Sequence, residues 1–138
     1  MPTTDIIPDS LVAAASAIPA GQPIFMLNLL RYRDRAAYDT GRDAAPCSGR
    51  EAYHQRYAPA FRQLATPDIK VFWLGTAVAH MVAPPDEHWH EVAIIEYPSF
   101  AAFRQVVDSP QYRSDARPHR LAALADWRLI AMSRLELR

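Results

Sequence analysis

The chain has 138 residues, of which half are apolar and 22% are charged, and its formal net charge is zero. This composition excludes a disordered or fibrous protein and predicts a single domain over residues 1–138 with a sizeable core. A net charge of zero argues against a nucleic-acid-binding surface, because such surfaces are usually basic.

The first predicted element is a short helix over residues 10–18. Asp9 is its expected N-cap, and Pro19 and Gly21 end it. The apolar content of this helix is modest, so we expect residues 1–22 to form a helical extension packed on the rim of the domain.

A buried strand and a long loop come next. Residues 24–32 are almost uniformly apolar, with one amide, Asn28, in the middle of the run and arginines at its exit. Residues 33–48 carry Asp, Gly, Pro, Ser and Arg without periodicity, which predicts a loop. Loops of this length often act as lids or partner contacts.

A long helix is predicted after this loop. Ser48 and Glu51 have the spacing of a capping box, which marks a helix start. Large apolar and aromatic residues then recur at steps of four, four and three, on one helix face: Tyr53, Tyr57, Phe61 and Leu64. Pro59 lies within the helix and is expected to kink it or to remove a hydrogen bond.

Two strands follow the long helix. Residues 69–79 alternate in side-chain direction around Trp73, which predicts the second strand. Residues 84–86 are rich in proline and predict a turn. The third strand is expected over residues 89–97, and residues 92–95 within it are apolar enough to be buried on both faces.

The last part of the chain predicts two helical stretches and a strand. Ser99 is the expected cap of a helix that ends near residue 107. Pro110 suits the first turn of the next helical stretch, which Pro118 interrupts and which ends near residue 125. Residues 127–135 form the last predicted strand.

The element order after the first helix is strand, helix, strand, strand, helix, strand. This is the order of the split βαβ, or ferredoxin-like, fold, an α+β architecture with a four-stranded antiparallel sheet and helices on one face. Its core would occupy residues 24–135. The other face would carry Trp73, Ile94 or its neighbours, and half of the first strand, and so apolar a face is not expected to stay in water. We therefore expect a homodimer.

Cysteine content and hydropathy indicate where the protein works. Cys47 is the single cysteine, so neither an intrachain disulfide nor a thiolate metal cluster can form. The N-terminus lacks a secretory pattern, and no apolar run approaches the roughly 20 residues that span a bilayer. Lys70 is the single lysine, and the richness in arginine and alanine is typical of a GC-rich bacterial genome. We expect a soluble, cytoplasmic, bacterial protein that contacts neither membrane nor nucleic acid.

Several segments resemble the dimeric α/β-barrel superfamily and, within it, domain-of-unknown-function family 1330. The resemblance is carried by Met26-Leu-Asn-Leu-Leu-Arg-Tyr-Arg33, Gly49-Arg-Glu-Ala-Tyr-His-Gln-Arg-Tyr57, Val92-Ala-Ile-Ile-Glu-Tyr-Pro-Ser99 with Ala102-Phe103, Ser109-Pro-Gln-Tyr112, and His119-Arg-Leu-Ala-Ala-Leu-Ala-Asp-Trp-Arg-Leu-Ile130. It implies a homodimer whose two sheets form a barrel. It implies no single reaction, since the superfamily includes cofactor-free monooxygenases, haem-degrading enzymes, lactone isomerases and members without known activity.

Asn28 and Arg31 are the first candidates for a ligand site. A buried amide costs on the order of several kcal/mol unless something pairs with it, so Asn28 has a structural partner or lines a polar pocket. Asn28 shares a strand face with Met26 and Leu30, whereas Arg31 lies on the opposite face or at the strand end. An amide and a guanidinium can hold a carboxylate, an enolate or a quinone oxygen and assist catalysis there. Alternatively, Asn28 binds neighbouring backbone and Arg31 pairs with an acid.

The predicted helices supply further candidates. Tyr53 and Tyr57 stand at helical spacing, which more often indicates core packing, but a hydroxyl facing a pocket could donate a hydrogen bond or a proton. His119 and Arg120 follow Pro118 at a predicted helix start, where an anion is favoured and the pKa of a histidine is lowered. His119 could then act as a base, with Arg120 binding substrate. Alternatively, His119 satisfies local backbone and Arg120 pairs with Asp115 or Asp126.

Metal and haem sites are less favoured by the sequence. His88 and His90 would share a strand face, and two imidazoles with a carboxylate can bind a divalent ion, but no third ligand stands at good spacing. Trp73 is a candidate substrate-binding residue. Together with Asn28 and His80 it resembles an Asn, Trp and His trio found in the haem-degrading enzymes of the superfamily, but the spacing differs from that of their motif. We expect no metal and no cofactor.

Two functions remain open at this point. The first is a dimeric α/β-barrel protein that binds a small aromatic or carboxylate compound. Such a protein could act on this compound as a cofactor-free enzyme of monooxygenase or isomerase/lyase type. The alternative is a non-catalytic binding or scaffold dimer whose barrel is filled by side chains. Convergence of polar groups from different elements on one cavity with room for a ligand would distinguish the two.

Overall fold

The computed structural model describes residues 2–137. Its elements are helix α1 (Pro8–Ala17), strand β1 (Ile24–Tyr32), helix α2 (residues 49–64), strands β2 (Lys70–Thr76) and β3 (Glu91–Tyr97), helices α3 (Phe100–Val107) and α4 (residues 112–123), and strand β4 (Leu124–Met132). Over these residues the strands form one four-stranded sheet in the order β2-β3-β1-β4, with antiparallel neighbours. The predicted ferredoxin-like α+β fold is confirmed, as an open sheet. None of the helices within the described range is long and apolar enough to cross a bilayer.

Alternation along β1 divides the sheet into a helix-covered face and an open face. On the covered face, Ile24 and Met26 pack with Tyr97 of β3 and Phe103 of α3. Further along the same strand, Leu30 belongs to a second buried cluster. The core therefore lies between the even-numbered positions of β1 and the helices, as the buried-strand prediction implied.

The open face carries a row of apolar side chains that crosses all four strands. Register places Trp73 beside Ile94, Ile94 beside Leu27, and Leu27 beside Ile130. The outermost members, Trp73 and Ile130, are 58% and 50% exposed. The predicted burial of residues 92–95 on both faces was wrong for this single chain, because only Ala93 among them is buried and the helices pack on the other face of the sheet.

Each of the two long helices contains a π-helical turn directly before a proline. The N–H of Ala58 donates to the carbonyl of Tyr53, and the N–H of Arg117 donates to the carbonyl of Tyr112. The prolines that follow, Pro59 and Pro118, lack an N–H, and the wider turn accommodates each one without ending the helix. The expectation that Pro118 interrupts its helix was therefore wrong.

Two of the three predicted helix N-caps are confirmed and one was wrong. The capping box is confirmed, since Oγ of Ser48 accepts from the N–H of Glu51 at 3.0 Å and the Glu51 carboxylate accepts from the N–H of Ser48 at 2.9 Å. The cap at Ser99 is also confirmed. Asp9 as a cap was wrong, because α1 begins two residues earlier than predicted, at Pro8, whose fixed φ suits a first helical turn, and Ile7 is the N-cap residue.

Several strand boundaries differ from those predicted. β2 ends at Thr76 and β3 begins at Glu91, so residues 77–90 form an irregular connection. β4 runs over Leu124–Met132, three residues earlier than expected at both ends, and follows directly after α4. The reason is pairing: Leu124 stands opposite Tyr32 and Met132 opposite Phe25, so the length of β1 sets the limits of β4.

Candidate functional site

A cavity of about 290 Å³ lies between the helices and the covered face of the sheet. Its walls are mainly apolar, and the aromatic residues among them include Tyr53, Tyr57, Phe61, Tyr97, Phe103 and Trp127. Exposed residues of α2 and of the edge strand β2 line one side of it, among them Arg62 and Lys70. The cavity therefore opens between α2 and β2, and two basic side chains stand at the opening.

Arg120 is the charged residue of this cavity that is most deeply buried. It is 2% exposed, its guanidinium lies 4.3 Å from the centre of the Trp127 ring, and it donates hydrogen bonds to the Tyr112 hydroxyl and, at 3.1 Å, to Asp5. Its Nε–H has no hydrogen-bond partner among residues 2–137. Buried arginines normally have all of their donors paired, so this group is a candidate for contact with a ligand.

The charges around Arg120 do not balance. Asp5 accepts hydrogen bonds from both Arg117 and Arg120, so one carboxylate serves two guanidinium groups. The nearby tyrosines do not supply a negative charge, because burial raises the pKa of Tyr53 and of Tyr112 above the ordinary value. The deep end of the cavity therefore carries an excess of positive charge, which favours an anionic ligand.

Asn28 lines the same cavity, but the protein itself occupies its polar atoms. Nδ2 donates to the carbonyls of Met26 and Ala93 at 3.2 and 3.3 Å, and Oδ1 accepts from Nε1 of Trp127 at 2.9 Å. The amide thus joins β1, β3 and β4 and holds the indole on which Arg120 rests. This geometry matches the structural alternative considered for Asn28.

A second polar cluster adjoins the cavity and centres on Glu91, which is buried at the start of β3. Its carboxylate accepts from the Tyr32 hydroxyl at 2.6 Å, from Nε2 of His54 at 2.7 Å and from Arg50. Because a carboxylate accepts hydrogen bonds, Nε2 of His54 carries the proton in this arrangement. His54 also lines the cavity, and its side chain is 37% exposed.

The structure brings four of the predicted site residues together. Asn28, Tyr53, Tyr57 and Arg120 line one cavity, although they come from β1, α2 and α4. Sequence reasoning missed Arg50, did not select His54, and considered Glu91 only as a metal-binding carboxylate beside His88 and His90. A single acid directly before the apolar run at residues 92–95 is the signal that could have pointed to Glu91.

The other predicted site residues lie outside this cavity. Arg31 is exposed at an odd-numbered position of β1, paired in register with Asp126, and Trp73 stands on the open face. His119 lies about 100° around α4 from Arg120, where its Nδ1 is 2.7 Å from the Tyr38 hydroxyl in the loop before α2. Burial lowers the pKa of His119.

The histidines before β3 bind backbone. Nδ1 of His90 accepts from the N–H of Tyr32 at 2.9 Å, and Nε2 of His80 accepts from the N–H of Trp89 at 3.0 Å. Within residues 2–137 no group of three or more His, Cys, Asp or Glu side chains is placed to hold a metal ion. The trio of Asn28, Trp73 and His80 is not assembled, since Trp73 and Asn28 lie on opposite faces of the sheet.

Comparisons with known proteins place the chain among uncharacterised relatives. No family model and no curated protein matches it. The crystal structure of the methylated RPA0582 protein shares 38% identity and a TM-score of 0.80, covering 98% of this chain and 96% of that one. The RPA0582 protein of unknown function from Rhodopseudomonas palustris shares 36% identity and a TM-score of 0.80, covering 99% and 100%.

A more distant structure shares the fold alone. The dabb family protein with a ferredoxin-like fold (mll5499) from Mesorhizobium loti is 12% identical, with a TM-score of 0.51, and the match covers 83% of this chain and 98% of that one. The RPA0582 structures match at higher identity over nearly the whole length. The chain therefore belongs to the family of RPA0582, a protein of unknown function.

Proposed function

We propose that the protein binds a small aromatic carboxylate in the cavity, with Arg120 holding the carboxylate group. The observation that carries this proposal is the buried guanidinium whose Nε–H is unpaired within the described residues and whose one acid partner is shared with Arg117. A buried charge is costly unless it is paired and hydrogen-bonded. A ligand carboxylate would provide both the missing acceptor and the missing negative charge.

The walls and the opening support the same class of ligand. The cavity volume of about 290 Å³ is close to the lower end of the roughly 300–1,000 Å³ typical of ligand sites. Aromatic rings such as Tyr57 and Phe61 offer faces for stacking against an aromatic ligand. Arg62 and Lys70 at the opening would raise the local concentration of anions.

The cavity also favours the first of the two functions that the sequence left open, binding of a small molecule, over a non-catalytic scaffold. The feature that distinguishes them is convergence of polar groups from different elements on one cavity, and the polar groups of Asn28, His54 and Arg120, from three elements, line this one, which supports ligand binding. The resemblance to the dimeric α/β-barrel superfamily extends the proposal to a cofactor-free enzyme of monooxygenase or isomerase/lyase type. Membership of domain-of-unknown-function family 1330 rests on the quoted segments and stays a prediction, as does a cytoplasmic, bacterial setting.

We further propose a homodimer that covers the open sheet face. The support is the row of apolar side chains across all four strands. At its two ends, Trp73 is 58% exposed and Ile130 is 50% exposed. Apolar patches of this kind mark protein–protein contacts. Because the cavity lies on the other face, binding at Arg120 and pairing of the sheets can be tested separately.

The binding proposal is tested with benzoate, phenylacetate and acetylbenzoates against the matching amides, by calorimetry and thermal shift. We expect the carboxylates to bind and the amides not to bind. Arg120→Met should weaken carboxylate binding about 10- to 150-fold, the equivalent of a charge-assisted hydrogen bond of about 1.5–3 kcal/mol. Arg113→Met, at an exposed position of the same helix, is the matched control. Equal affinities in both variants, or no carboxylate binding at millimolar concentration, would overturn the proposal.

A further inference from the structure

We infer that His54 is an acid–base group of the cavity, oriented by Glu91, and that it exchanges a proton with bound carboxylates that also carry an enolisable carbonyl group. This inference rests on the proposed function, because Arg120 would hold the carboxylate. Its own basis is separate: an imidazole on the cavity wall whose Nε2 is hydrogen-bonded to a buried carboxylate at 2.7 Å. A base oriented in this way by a third group is the usual arrangement for proton transfer.

The hydrogen bonds around Glu91 determine which nitrogen of His54 can react. Tyr32, His54 and Arg50 all donate to the Glu91 carboxylate, so its oxygens act as acceptors and Nε2 of His54 carries a proton. In the neutral imidazole, Nδ1 then holds the free lone pair. It has no hydrogen-bond partner among residues 2–137. Nδ1 is thus the nitrogen available to take up a proton from a ligand.

The local backbone supports a functional role for this position. His54 lies in the π-helical turn Ala52–Tyr57, and such turns occur frequently at functional sites. The neighbouring Tyr53 also lines the cavity, so two consecutive residues of one helix reach the same space.

The positions of Arg120 and His54 define the shape of the ligand. Arg120 is 2% exposed at the deep end of the cavity, whereas the His54 side chain on the cavity wall is 37% exposed. A series of neighbouring rings connects them. The guanidinium carbon of Arg120 lies 6.0 Å from the centre of the Tyr57 ring. The ring centres of Tyr57 and Tyr53 are 4.9 Å apart, and those of Tyr53 and His54 are 5.5 Å apart. The carboxylate and the acidic C–H should therefore stand at opposite ends of an aromatic ring, as in 4-acetylbenzoate.

The chemical step is a reversible proton transfer. Nδ1 of His54 takes a proton from the acetyl methyl group, the electron pair of the broken C–H bond forms the enolate C=C bond, and the carbonyl π pair moves to oxygen. In D₂O the imidazolium exchanges its proton with solvent and returns a deuteron to carbon. Substrate and product differ by the isotope alone, so the step needs no oxidant, reductant or co-reactant.

A purely structural role for the same cluster makes a different prediction. Glu91 ties together β1, α2 and β3 through Tyr32, His54 and Arg50, and this could serve stability alone. In that case substitutions would lower the melting temperature without affecting deuterium incorporation. Glu91 is a positioning residue in our account, so its substitution should change the tautomer of His54 and the pH profile of exchange. The titratable groups in contact with His54 are Glu91, Tyr32 and Tyr53, and the charged Arg50 binds the same Glu91 carboxylate.

The test measures deuterium incorporation into 3- and 4-acetylbenzoate by ¹H NMR in D₂O, with binding measured by calorimetry on the same samples. We expect His54→Gln to bind within a few-fold of the unchanged protein but to lose about 100-fold or more of the exchange rate. Glu91→Gln should lower the rate and shift its pH profile. His88→Gln, a histidine that does not line the cavity, is the control and should leave the rate unchanged.

The outcomes separate this inference from the proposed function. Binding that depends on Arg120 together with exchange that does not depend on His54 overturns the inference and leaves the binding proposal standing. Absence of acetylbenzoate binding at millimolar concentration overturns both. A measurement without ligand guards against variants that fail to fold: ¹⁵N NMR of the unchanged protein should show the Nε2–H tautomer of His54, and an Nδ1–H tautomer would overturn the inference.

Discussion

Asp5 accepts a hydrogen bond from Nη2 of Arg120 at 3.1 Å and so joins the beginning of the chain to its last helix. The same carboxylate pairs with Arg117, and the next residue, Ile6, lines the cavity. The segment before α1 is therefore part of the cavity wall, and the predicted N-terminal extension contributes directly to the candidate site. Asp5 is also the internal anion with which a ligand carboxylate would share Arg120.

The pairing of Asp5 predicts a pH-dependent contribution to stability. Burial raises the pKa of Asp5, but hydrogen bonds from Arg117 and from the N–H of Ile6 outweigh it, so the pKa is lowered overall. Because the pKa of Asp5 is lower in the folded state, its ionisation stabilises the fold at pH values above the unfolded-state pKa of about 3.9. This stabilisation is lost as the pH falls through the folded-state pKa. Because these groups are partly exposed, Asp5→Asn should cost about 0.5–1 kcal/mol at pH 7.

Urea denaturation at several pH values checks this expectation. The stability difference between the unchanged protein and Asp5→Asn should be present at pH 7 and pH 5 and should shrink below about pH 4. Asp9→Asn, exposed in the first turn of α1, provides the control. A difference that stays constant down to pH 3 would contradict the ionic origin of the effect.

The hydrogen bond between Asn28 and Trp127 predicts a structural role for the amide. Asn28→Ala should cost about 1–3 kcal/mol of stability, since it leaves the buried Nε1 of Trp127 unpaired. Trp127→Phe removes the same hydrogen bond from the other side, so the double variant should lose less than the sum of the two single losses. The exposed amide Gln55 is the control, and Gln55→Ala should change stability by less than about 0.5 kcal/mol. Additive losses in the double variant would exclude this coupling.

His90 predicts that the protein is less stable in mild acid. Burial lowers the pKa of His90, with help from the neighbouring charges of His88, Arg50 and Arg31. Because the folded-state pKa lies below the unfolded value of about 6.5, the unfolded chain binds the proton first, and stability falls as the pH drops below about 6.5. Protonation of Nδ1 would also break its hydrogen bond from the N–H of Tyr32.

A matched substitution isolates this effect. His90→Asn offers an amide oxygen near the position of Nδ1 but does not titrate, so its melting temperature should fall less between pH 7.5 and pH 5.5 than that of the unchanged protein. His119, whose pKa burial also lowers, should account for part of the remaining slope, which His119→Asn would reveal. Parallel melting curves for His90→Asn and the unchanged protein would show that His90 has no part in the acid sensitivity.

The capping box at the start of α2 predicts a local loss of stability. Ser48→Ala removes the acceptor for the N–H of Glu51 and should cost about 1 kcal/mol. The denaturation midpoint should fall without a change of slope. Ser133→Ala, at an exposed position beyond β4, is the control. An unchanged midpoint for Ser48→Ala would show that the first turn of α2 does not depend on its cap.

The open sheet face predicts a dimer that a single charge should disrupt. Trp73→Glu places a carboxylate in the apolar row beside Ile94 and should convert the dimer to a monomer in light scattering at micromolar concentration. Val12→Glu, an exposed apolar position on α1, should leave the dimer intact. A protein that is already monomeric before substitution would exclude the homodimer. Carboxylate binding should survive Trp73→Glu, since Trp73 does not line the cavity.

Local patterns predicted the fold well because they need little tertiary information. The apolar run at residues 24–32 matches β1 at both ends, and the capping box of Ser48 and Glu51 is formed by residues three apart. The element order sufficed for the ferredoxin-like topology, which admits few alternatives. The ends of β4 were misplaced, because β1, distant in sequence, sets them by pairing.

The sequence by itself thus determined the element order, the covered and open faces of β1, and a polar interruption at Asn28 in an apolar strand. Only the tertiary structure decided which polar residues share a cavity. Arg120 meets Asp5 across 115 positions and His54 meets Glu91 across 37, distances over which no periodic pattern carries information. The physical reason is that a buried charge takes its partners from whichever elements packing brings within hydrogen-bond reach, whatever their distance along the chain.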